Sequence, residues 1–134
     1  MLTPTVTAIR LFLHILAATV WVGGQITLVW ILPALKALGP TAPASVARRF
    51  NQAAWTAFGV LIVTGIWNVA ADASALHNQA WRDALVVKVV VVGISGFSAW
   101  MHTRTKSRQG LAVWGGLTGL SALAALFVGV LLAG

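Results

Sequence analysis

Leu11–Pro33 reads LFLHILAATVWVGGQITLVWILP, and this stretch decides the fold. A bilayer's hydrocarbon core takes about 20 apolar residues of helix to cross. The run meets that length, yet it carries His14, Trp21, Gln25 and Trp30. Arg10, His14, Trp21 and Gln25 follow one another at steps of four, seven and four residues, which places them on one side of a helix. A polar group facing lipid finds no hydrogen-bond partner, so a polar stripe on a membrane helix turns toward protein. The stretch therefore predicts a helix with one lipid face and one functional face.

The same logic extends outward. Of the 134 residues, 59% are hydrophobic and 8% charged, against about 25% charged in soluble domains. The net charge of +7 does not indicate nucleic-acid binding, because the cations fall in short segments between apolar runs. With no cysteine, disulfides and thiolate metal sites are excluded. The first apolar run exceeds a signal peptide's apolar region and lacks a basic lead-in, so it is expected to stay in the mature protein.

Four spans are expected, at about 9–35, 51–71, 84–102 and 111–133, forming a single transmembrane domain over 1–134. The expected fold is all-α, an antiparallel four-helix bundle in a bacterial-type plasma membrane. Segments 36–50 and 103–110 hold Lys36, Arg48, Arg49, Arg104, Lys106 and Arg108 and no acid, while Asp72 and Asp83 share the other side with Arg10 and Arg82. The positive-inside rule makes the two basic segments cytoplasmic and puts both termini outside. Glycines recur through spans two to four and permit close helix contact.

Depth narrows the candidates. His14 lies three residues and Lys88 four residues below the outer ends of their spans, about 5 and 6 Å. Asn68 precedes the Asp72 exit, so His14, Asn68 and Lys88 are expected in one layer near the outer face. His102 is fourteen residues from Lys88, about 21 Å, too far to share one metal with His14. A second stripe runs through Lys88, Ser95, Ala99 and His102. Lys88 either snorkels to the interface or faces an anionic ligand such as a porphyrin propionate. His14 is either a hydrogen-bonded packing residue or a ligand for haem iron, copper or zinc. Arg10 is placed to hold a carboxylate, and Trp21 to wall a flat ligand. His77 reads as solvated and His102 as a cap on a helix C-terminus. Trp81 and Trp114 read as interfacial, and Trp55, Trp67 and Trp100 as core. The two methionines, Met1 and Met101, fall at opposite faces, a poor series of soft ligands for copper.

LHILAATVWVGG with Pro33, followed by DALVVKVVVVGISGFSAWMHTRTKS, resembles the CopD-type copper-resistance membrane domain and, more distantly, the HemJ-type protoporphyrinogen oxidases. The shared marks are His14, Trp21, Gly24 and Lys88. The resemblance implies a four-helix core. Its HemJ-like branch implies a b-type haem with His14 and Lys88 important, and its CopD branch a role in copper uptake or resistance.

The leading expectation is a haem b protein of electron transfer or porphyrin redox chemistry, with His14, Lys88, Arg10, Trp21 and Asn68 at the cofactor and His14 on the metal. The second axial ligand is Lys88 or the His14 of another subunit. The alternative is copper uptake or resistance, and a further one is a non-catalytic accessory subunit. The lipid bilayer is the expected surrounding, with a homodimer or larger membrane complex open.

Overall fold

The computed structural model describes residues 3–134, so Met1 lies outside the described residues. The fold is all-α, with four helices long and apolar enough to cross a membrane. Helix is what hydrocarbon demands, because each backbone N–H and C=O must find its partner within the segment. The chain divides into two compact units, one ending at Ala71 and one running from Asp72 to Gly134.

The first unit pairs a helix of 33 residues, Val6–Leu38, with one of 30. The long helix has three parts: α1 (Val6–Ala18), a π-helical turn (Thr19–Gly23) and α2 (Gly24–Leu38). Thr5 caps its start by accepting from the Ala8 N–H at 3.1 Å. Gly39 ends it at φ 140°, a conformation that side chains rarely adopt. Helix α3 (Ala42–Ala71) begins three residues later and returns antiparallel. In the second unit a 3₁₀ turn (Ala73–His77) leads into α4 (Gln79–Arg104), and α5 (Arg108–Ala133) runs back beside it. Asn78 and Ser107 cap these helices from Trp81 N–H and Gly110 N–H.

The helices overrun the limits expected from hydropathy. Segment 36–50, expected as a loop, is helix except around Gly39–Thr41, and 103–110 is open only at Thr105–Ser107. Charge ends an apolar run without ending a helix, so Lys36, Arg48 and Arg49 stand on helices. Pro43 sits in the first turn of α3, where a missing N–H costs nothing.

The interior is small and the exterior large. Among the buried residues are Ala17, Ala54, Ala57, Thr64, Ser95, Ser98, Thr118, Ser121, Ala122 and Ala125, with Trp21 and Val22 as larger members. Leucines, valines, isoleucines and phenylalanines cover the outside. Lipid tails are as apolar as leucine, so helices gain little by hiding leucine and more by close approach over small residues.

Candidate functional site

In the first unit, α1 and α3 meet at a side-chain hydrogen bond between His14 Nδ1 and Thr64 Oγ1, at 2.7 Å. Thr64 is buried, and its hydroxyl donates to the Val60 carbonyl at 2.6 Å, a bond that a threonine within an apolar helix makes to its own preceding turn. With that proton committed, Thr64 accepts from His14, and Nδ1 carries the imidazole hydrogen. Beside the ring stands Gly65, where an added Cβ would lie 3.6 Å from His14 Cε1.

One turn toward the start of α1 and one turn toward the end of α3 come Arg10 and Asn68, which the antiparallel register puts at one level. Both are half-buried. Arg10 Nε and Asn68 Oδ1 are buried without hydrogen-bond partners among the described residues. Of the expected layer of His14, Asn68 and Lys88, the first unit holds His14 and Asn68, and Lys88 stands in the second. Thr64, the residue that fixes the histidine, had no signal in its spacing; the demand of an intramembrane imidazole for a partner was the clue available.

Two turns further along the long helix from His14 the chemistry changes. Trp21, expected to wall a flat ligand, is buried at 4% exposure and packs at 4.6 Å from Phe58 and 5.7 Å from Trp55. Its backbone lies in the π-helical turn, which loosens the carbonyl ladder, and the Gln25 amide donates to the Trp21 carbonyl at 2.8 Å. Gln25 is therefore spent on the backbone. Gly24 leaves room for the Phe50 ring, which would collide with any Cβ there. A shallow apolar groove of about 440 Å³ runs along α3 between Trp55 and Trp67, past Gly59 and Thr64. Trp67, expected in the core, is 40% exposed beside it.

In the second unit, Lys88 is half-buried on α4, with Nζ over Gly129 of α5; a Cβ at Gly129 would lie 2.9 Å from it. Along the stripe expected from Lys88 to His102, Ser95 Oγ donates to the Thr118 carbonyl at 3.3 Å. His102 occupies the last turn of α4, but its Nδ1 donates to the Leu111 carbonyl of α5 at 3.0 Å, so it clasps the hairpin instead of capping its own helix. His77 is exposed, its Nδ1 donating to the Ser74 carbonyl at 3.0 Å. Trp81 donates through Nε1 to the Leu132 carbonyl. Trp100, expected in the core, is 43% exposed. No cluster of three or more His, Cys, Asp or Glu side chains able to hold a metal ion occurs among the described residues.

The haem expectation fits this geometry poorly within the first unit. The His14 ring is packed between α1 and α3 against Thr64 and Gly65.

Comparison with known proteins finds a bacterial relative. The chain is 32% identical over 108 residues to the copper transport protein CutJ of Bacillus subtilis strain 168. The alignment covers 75% of this chain and 20% of that protein, so the chain spans about one fifth of the relative's length. No protein-family profile matches the chain, and no solved structure does. This is a membrane protein similar to a copper transport protein.

Proposed function

We propose that the chain handles copper at a bacterial plasma membrane, as a membrane-spanning unit of copper uptake or resistance. The observation that carries this reading is the similarity to a copper transport protein across three quarters of the chain. His14 is the residue proposed to meet the ion. Thr64 holds the ring through Nδ1, and imidazole is an accepted copper donor. One imidazole makes a transfer point more readily than a storage site, since copper bound tightly by several donors is released slowly. Further donors would come from a second copy or from a larger protein of which this is one part. In this reading Arg10 and Asn68 form the polar approach to His14.

The proposed orientation keeps both basic segments cytoplasmic and His14 near the outer face. The test is copper accumulation in cells, with and without the chain, alongside the copper content of purified protein after loading. Replacing His14→Ala is expected to abolish both effects while helix content stays constant. Accumulation indifferent to the whole chain would overturn the function; indifference to His14 alone would overturn the site.

A further inference from the structure

Phe97, Trp100 and Arg104 stand at intervals of three and four residues on α4, one above another. The Phe97 and Trp100 rings are 6.0 Å apart, and the Arg104 guanidinium lies over the Trp100 ring at 4.8 Å from its centroid. Trp114 of α5 meets Phe97 edge-on at 6.0 Å and closes one side of the ladder. The outer side is open: Phe97 is 56% exposed and Trp100 43%. Beyond Arg104, the short turn adds Lys106, and Arg108 opens α5; all three cations are exposed.

Two features make this more than a charged helix end. The turn is held by other groups, since His102 donates to the Leu111 carbonyl and the Thr105 hydroxyl to the Met101 carbonyl at 2.9 Å. Both carboxylates of the chain, Asp72 and Asp83, lie at the far end of this hairpin, so the cations have no acid near them. The vertical order also matters. From Phe97 to Arg104 the helix rises about 10 Å, passing from apolar ring to amphipathic indole to guanidinium. A phospholipid presents acyl chain, glycerol and phosphate in that order over a similar depth. Stacking on Trp100 holds the planar guanidinium in place beforehand, which lowers the ordering cost of gripping a phosphate.

We propose that this face binds an anionic phospholipid: Arg104, Lys106 and Arg108 hold the headgroup phosphate, and Trp100 and Phe97 take the glycerol and upper acyl chain. The proposal rests on the membrane reading and is independent of copper. It is tested on the full chain in detergent by native mass spectrometry with added phosphatidylglycerol or phosphatidylcholine. Phosphatidylglycerol is expected to be retained preferentially. Each of Arg104→Gln, Lys106→Gln and Arg108→Gln is expected to lower that retention about fivefold, the weight of one cation near an anionic headgroup. Arg104→Lys, which keeps the charge but loses the planar stack, should fall between wild type and Arg104→Gln. Equal retention of the two lipids, or variants that all behave as wild type, would overturn the proposal. So would inorganic phosphate displacing the lipid as well as excess phosphatidylglycerol does, since the ligand would then be free phosphate. Circular dichroism on each variant separates loss of binding from loss of fold.

Discussion

The two hairpins of this molecule solve one problem, adhesion between helices in an apolar solvent, by different means. The second, α4 with α5, is regular: two unbroken helices meet over Ser95, Ser98, Thr118, Ser121, Ala122 and Ala125, a seam of small side chains. The first is irregular. It buries Trp21 against Trp55 and Phe58, interrupts its long helix with a π-helical turn, and ties α1 to α3 through His14 and Thr64. Regular packing over small residues gives stability without a preferred chemical position. The irregular hairpin gives up some regularity and gains a fixed imidazole with half-buried polar neighbours.

That contrast can be broken most severely at Trp21. Trp21→Ala removes a large buried aromatic side chain and is expected to cost about 3 kcal/mol, the scale of aromatic truncation in a packed interior. Unfolding of the detergent-solubilised protein would measure it, and a loss below 1 kcal/mol would mean that the aromatic cluster does not hold the hairpin. Thr64→Val keeps the shape and deletes the partner of His14; a loss of about 1 kcal/mol is expected. Thr64→Ser should recover most of it, because the hydroxyl is what matters. Copper transfer should fall with Thr64→Val by more than stability explains if the imidazole's orientation is functional. The smallest effect is expected at Ser98, in the regular hairpin. Its Oγ is fully buried without a hydrogen-bond partner among the described residues, so Ser98→Ala should be neutral to within about 0.5 kcal/mol or slightly stabilising. A large loss there would show that the hydroxyl has a partner or role beyond packing.

A different test sharpens orientation. The chain has no cysteine, so Lys106→Cys and Asp72→Cys each create a single reactive thiol. An impermeant reagent added outside intact spheroplasts is expected to label Asp72→Cys and spare Lys106→Cys. The reverse pattern would invert the proposed topology.

The four long apolar helices were legible because hydrocarbon imposes so strict a length and composition that a single sequence records them. Helix ends were less legible, since Lys36, Arg48 and Arg49 interrupt hydropathy but not hydrogen bonding, and the helices continue through them. The polar stripe was legible through His14 and Trp21, which both meet α3. At Gln25 the side chain turns back onto the Trp21 carbonyl of its own helix, which spacing alone does not reveal. Thr64 and Gly129 were legible only as small residues of a span, because a threonine or glycine in an apolar run resembles ordinary packing until a partner, His14 or Lys88, is seen against it. Trp67 and Trp100 were misplaced because a large aromatic in a membrane helix has lipid as an alternative to the core.

The π-helical turn has one more consequence, for lineage. A wider turn accommodates an additional residue while the helix on either side keeps its facing. A related chain built there as plain α-helix would therefore need one residue fewer between Ala18 and Gly24 to present the same sides above and below. Aligned by sequence, the two would show a single-residue gap in the middle of a membrane helix, where gaps are ordinarily forbidden. Removing one residue from TVWVG should be the best tolerated deletion anywhere within the long helix.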